Sequence, residues 1–325
     1  MATNPRKLAA IFLALGLFTV AAARADFIWN DATGDWFTPG NWTPAGPPGS
    51  GQHAQINNGG TAQVTSAGAV CNILLLGFNA GDSGTVDVSG SGTLTTSSEA
   101  YIGRDGAGVM DITGGGDVSS TFGVIANSTG STGTVDVDGA GSTWTLRSQF
   151  LEVGASGTGS LNITNGGAVS VATGSTVGLY GMGTATVNGT GSIWTNTLGL
   201  VVGYSGNGTL NILNGGAVSN TTGIIGQNTG GVGVINVDGT GSTWTNSSSV
   251  DVGFDGNGTL NITNGGAVTV NGSFFRIGTH STATGTVFLD GTGSSLTVAH
   301  EVDVGRQGTG TLTIQNGATF SATGT

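Results

Sequence analysis

The chain has 325 residues, 64 of them glycine, with 8% charged residues, a formal net charge of −11 and a pI near 4.2. Beyond Arg24 it holds only four cationic side chains, Arg104, Arg147, Arg276 and Arg306, and no lysine. That excludes the row of phosphate contacts nucleic acid requires and disfavours anionic membrane surfaces.

At the amino end Arg6 and Lys7 precede an apolar run from Leu8 to Ala23, closed by the small-x-small pattern Ala23-Arg24-Ala25. A membrane anchor needs about 20 apolar residues and a polar stop; this shorter run ends at a processing pattern and reads as a secretory signal peptide over residues 1–25. Loss of its three basic residues takes the net charge from −11 to −14. The chain is expected to be exported, to the cell surface, the outer membrane or the extracellular space.

Residues 26–54 are unlike the rest of the chain, carrying Trp29, Trp36 and Trp42 with Pro39, Pro44, Pro47 and Pro48. This segment is expected to be a cap over the open end of the fold, not a repeat, since aromatic side chains broken up by prolines can cover exposed backbone and core.

From residue 55 to 325 two phrases alternate. One is GTGSLNITNGGAVS at Gly157, GNGTLNILNGGAVS at Gly206, GNGTLNITNGGAVT at Gly256 and, more loosely, GTGTLTIQNGATFS at Gly308; the other is GTVDVDGAGSTWT at Gly133, GTATVNGTGSIWT at Gly183, GVINVDGTGSTWT at Gly233 and GTVFLDGTGSSLT at Gly285. Each phrase recurs about every 50 residues, so the unit is about 25 residues. Alternating apolar runs such as Leu161-Asn162-Ile163 between glycine turns predict short strands, and nothing after the leader has helical spacing. The fold class is all-β: a parallel solenoid of about 25-residue rungs, ten to eleven of them in a rod about 50 Å long. The last rung is expected to be incomplete.

Several recurring residues have structural readings. Asn165, Asn214, Asn264 and Asn316 precede glycine at one place in the phrase, where both residue types tolerate left-handed backbone and amides can stack. Trp144, Trp194 and Trp244 recur every second rung with Leu296 in the last copy; inward packing is favoured because leucine substitutes there and Val169, Val218 and Val268 fall near the same place. The flanking Thr143 and Thr145 form a T-x-T pattern of the kind on ice-binding solenoids, interrupted by Ala168 and Ser170 in the next rung. Cys71, the single cysteine, reads as a small buried hydrophobe.

Candidate sites are few. The column Asp138, Asn188, Asp238 and Asp290, with Asp136, is similar to a calcium loop, but Ala140 and Arg147 stand where an EF-hand needs its fifth and twelfth ligands. Calcium between rungs stays open, and no metal, cofactor or catalytic residue is assigned. Arg104 with Asp105, Arg276 with His280, and His300 with Glu301 are the local groupings from which an enzyme site would have to come.

The run WNDATGDWFTPGNW followed by repeats of the forms GTLNITNGGAV and GTGSTWT resembles the repeat proteins shared by autotransporter (type V secretion) passengers and PEP-CTERM surface proteins. The resemblance implies a right-handed parallel β-helix displayed or released at a Gram-negative-type surface as an adhesin or spacer, and no catalytic residue. The outer-membrane barrel and the Pro-Glu-Pro tail of those groups are not found, so any membrane attachment would come through a further carboxyl-terminal anchor. The expected function is that of a non-catalytic surface scaffold or adhesin, with surface glycans or neighbouring cells as partners. The alternatives are a polysaccharide-processing β-helix enzyme and a surface-layer component that associates with itself.

Overall fold

A computed structural model describes residues 26–323; the leader lies outside them. Among the described residues the protein is a parallel β-solenoid without an α-helix, its strands divided among three faces. Seven-residue strands such as Thr158–Thr164 form a 12-stranded sheet, the long face. Four-residue strands such as Thr143–Leu146 form a second face carrying the repeated tryptophans, and three- or four-residue strands such as Leu151–Val153 form a third. The second and third faces are joined in one 22-stranded sheet because Ala217–Ile225 and Thr243–Val252 run through the corner between them. Twelve rungs at the usual spacing of paired strands make a rod about 50 Å long.

The alternation read in the sequence becomes alternation of sides. Along Thr158–Thr164, Gly159, Leu161 and Ile163 are buried while Ser160, Asn162 and Thr164 are partly exposed. The turn asparagines take φ of 52° to 54° at Asn165, Asn214, Asn264 and Asn316, each followed by a left-handed glycine. Their side-chain amides donate to the carboxylate or amide oxygen one rung below, at Asp138, Asn188, Asp238 and Asp290, over 2.5–2.8 Å. This column therefore cross-links successive turns. Gly208 holds a different requirement: a Cβ there would lie 2.1 Å from the Val177 carbonyl oxygen, so the rungs can close up only around glycine.

All three repeat tryptophans point inward and are fully buried. Each is matched by a small residue at the facing position one rung earlier: Gly123 before Trp144, Ser175 before Trp194, Gly223 before Trp244. A Cβ on Gly123 or Gly223 would lie 2.7 or 2.6 Å from the indole Cζ2. Where Leu296 replaces tryptophan, the matching position is Phe275, also fully buried. The core thus keeps its volume by exchanging bulk between neighbouring rungs.

The amino-terminal segment is hydrogen-bonded onto the first rungs. Asp26–Trp29 pairs in parallel with His53–Ile56, and Thr33–Asp35 pairs in parallel with Asn58–Val64, so the segment supplies strands to two of the faces. Trp42–Thr43 then returns antiparallel along Asp26–Trp29. Trp29, Trp36 and Trp42 are buried at this end, edge-to-face at 4.9 and 4.8 Å, with Trp42 Nε1 donating to the Trp36 carbonyl oxygen. Phe27, Trp29 and Trp36 extend the common core, which is why a segment unlike the repeat can still stack on it.

Candidate functional site: the third face

The long face presents mostly polar columns, interrupted at Val109, Leu213, Val234 and Phe288, and the second face carries one uniform hydroxyl column. On the second face the outward position runs Thr95, Ser119, Thr145, Ser170, Thr195 and Ser219, and stays hydroxyl-bearing through Ser321. The parallel column containing Thr143 is broken by Ala168, Ile193 and Ala217. Only one column of the T-x-T pattern is therefore continuous.

The third face is where the sequence stops repeating. Its central outward ladder reads Gln55, Leu75, Tyr101, Val124, Glu152, Thr176, Val201, Ile224, Asp251, Arg276, Asp303. Leu75, Val124 and Val201 are only 4%, 1% and 2% exposed, yet they stand outside the contiguous core. The ladder is thus recessed between the two corner rows that flank it. Those rows supply aromatic side chains, among them Phe122, Phe150, Tyr204, Phe254 and Phe274.

Each grouping singled out in the sequence borders this face. Arg104 lies 3.9 Å from Asp105 and 4.5 Å above the Phe78 ring, and Asp105 accepts a short hydrogen bond from Ser128 Oγ. Arg276 and His280 share a cluster. The Arg276 guanidinium sits 3.5 Å over Phe274 and 3.3 Å from Asp303, which Arg306 also approaches at 3.9 Å. Asp251, next to Arg276 in the ladder and 3% exposed, accepts from Thr279 Oγ1 at 2.7 Å; burial still raises its pKa above the usual carboxylate range. His280 Nδ1 is 3.1 Å from Asp255, and its ring meets Phe254 edge-on at 4.3 Å. The structure brings His300 and Glu301 to the exposed start of the strand Glu301–Val304, with no partner group at hand among the described residues.

Sequence reasoning missed two features. Glu152 stands in the recessed ladder between Val124 and Thr176, and desolvation pushes its carboxyl up to about 7. On the long face Asp87, Asp111 and Asp136 are direct register neighbours; burial, then the flanking carboxylates, pushes Asp111 up to about 6, and Asn162 Nδ2 donates to Asp136 at 2.7 Å. Identical offsets of the three aspartates within their repeats were the available signal. Cys71 is fully buried with its thiol pKa raised by desolvation, as a packing residue's would be.

In the calcium-like column, Asp138 Oδ1 already accepts from both Thr164 and Asn165, and Asp238 Oδ1 from Thr263 and Asn264. These carboxylates are occupied in tying rungs together. No helix among the described residues is long and apolar enough to cross a membrane.

No protein-family model matches the chain, and no curated protein sequence matches it. Among solved structures, the crystal structure of the TibC-catalysed hyper-glycosylated TibA55-350 fragment is similar at 16% identity, with 92% of this chain and 94% of that one covered and a TM-score of 0.40. The solenoid architecture rests on the strand pairing itself.

Proposed function

We propose that the protein is an exported, non-catalytic β-solenoid acting as an adhesin or structural stalk at the cell surface, with its partner contacts on the third face. One observation carries this reading: the central ladder of that face changes chemical type at nearly every rung, whereas the column from Thr95 to Ser321 on the second face stays hydroxyl-bearing throughout. A stacked scaffold whose backbone ladders are fully used for stiffness leaves side-chain variation as its means of recognition. The leader-like residues 1–25 and the resemblance to autotransporter passengers and PEP-CTERM proteins support export and display. Surface glycans and neighbouring cells are the partners this reading favours.

The test is to incubate the purified chain with whole cells, a glycan array, and neutral and uronate polysaccharides. Retention without release of oligosaccharide is the expected outcome. Release abolished by a single substitution at Asp251, Arg276 or Asp303 would replace this reading with an enzymatic one.

A further inference from the structure

Glu152 is an ionisable group kept in a place that does not suit its charge. Its ladder neighbours are Val124, 1% exposed, and Thr176, 3% exposed, and among the described residues it has neither an ion pair nor a hydrogen bond. The chain's cations are directed elsewhere: Arg147, nearest in sequence, turns back to donate to the Thr96 carbonyl oxygen, and Arg104 lies over Phe78. The negative charge is therefore uncompensated from within, in surroundings whose desolvation holds the proton until about pH 7.

The surroundings match one kind of visitor. Phe122 and Phe150 precede the paired residues Gly123 and Leu151 and share the outward side with Val124 and Glu152; Tyr101 lies two rungs from Glu152 and is electrostatically coupled to it. Aromatic faces beside a carboxylate attract an organic cation, and the aliphatic floor of Val124 and Val201 suits the methylene stem of a lysine. A sugar ring needs a dense set of directional polar groups, and from Leu75 to Ile224 the ladder offers only Tyr101, Glu152 and Thr176.

We propose that this stretch of the third face, centred on Glu152, receives a lysine side chain from an extended segment of a partner protein. The inference rests on that reading of the third face and deepens its neighbouring-cell arm, a protein on the partner surface in place of a glycan along this stretch.

The test is fluorescence anisotropy of the whole secreted chain with a labelled decapeptide of alternating leucine and lysine. The same peptide with glutamate for lysine and a glucosamine hexamer serve as the other probes. Saturable binding of the lysine peptide is expected at pH 8, weakened about tenfold or more by Glu152→Gln and by lowering the pH to 5.5, where Glu152 carries its proton. Asp87→Asn, which removes one charge from the long face, is expected to leave binding unchanged. Equal binding by Glu152→Gln, or equal weakening by Asp87→Asn, would overturn the proposal, and so would absence of binding by the unaltered chain. Binding of the glucosamine hexamer alone, lost with Glu152→Gln, would overturn it in favour of an amino-glycan. The pH dependence of the unaltered chain keeps the test open if the variant folds poorly. Adhesion carried by the third face without lysine-peptide binding would remove this inference and leave the proposed function standing.

Discussion

Replacing Leu296 with tryptophan and Phe275 with serine, singly and together, probes how the core sets its volume. The last copy has Leu296 and Phe275 where the middle copy has Trp194 and Ser175, all four buried. Leu296→Trp alone forces an indole against Phe275 and should cost about 1–3 kcal/mol or more by overpacking. Phe275→Ser alone leaves an aromatic-sized void and should cost about 3–5 kcal/mol. The double variant restores the volume of the Trp194 arrangement but leaves two buried donors without acceptors: the indole N–H, because Val270 stands where Val171 does in the middle copy, and the serine hydroxyl, because Val298 stands where Asn196 accepts from Ser175. Its residual cost should be about 2–4 kcal/mol, below the sum of the singles. Urea titration followed by circular dichroism reads the global effect, and hydrogen exchange in Phe274–Ile277 and Ser295–Val298 reads it locally in a fold whose rungs contact only their neighbours. A double variant as unstable as the two singles added together would refute volume exchange between rungs.

Other outcomes depend on single groups. Trp144 Nε1 donates to Ser120 and Trp244 Nε1 to Asn220, whereas Trp194 Nε1 is buried without an acceptor and Val171 stands at the matching place; Val171→Ser should raise stability by about 1 kcal/mol in the same urea titration. Asn264 at φ 53° both adopts left-handed backbone and donates to Asp238, so Asn264→Ala should cost about 1–3 kcal/mol and Asn264→Gly less. Glu152 and Asp111 have folded-state pKa values of about 7 and 6 against ordinary values of 4.5 and 3.8. Between those limits the folded chain holds more protons than the unfolded one, so their contribution to stability is greatest below the ordinary values, falls as pH rises and stays low above pH 7. Glu152→Gln and Asp111→Asn should each flatten the stability profile over its own window when melting temperature is followed from pH 4 to 8.

Much of the scaffold was legible because identical physical demands recur. The Asn-Gly turns announce left-handed backbone, the alternation in runs such as Leu161-Asn162-Ile163 announces one buried side, and Leu296 in place of tryptophan announces an inward column. The third face was hidden for a physical reason. In Leu74–Leu76, Ser175–Val177 and Gly199–Val202 both sides of the strand are buried, so the two-residue alternation disappears. Glu152 showed no partner motif because its distinction is the lack of a partner. The first strands went unrecognised because Asp26–Trp29 and Thr33–Asp35 share register with the rungs but not their phrase. The Arg276 cluster was visible only as Arg276 near His280; Asp251 and Asp303 join through register about 25 residues to either side.

Adhesion to the target cell by two folded variants tests the account most directly. One carries Tyr101→Ser, Glu152→Gln, Val201→Ser and Arg276→Gln on the third face; the other carries four alanines in the hydroxyl column at Thr95, Thr145, Thr195 and Thr245. The account predicts that the first loses adhesion while the second keeps it. Loss confined to the second would place recognition on the hydroxyl column of the second face and contradict the assignment of the third.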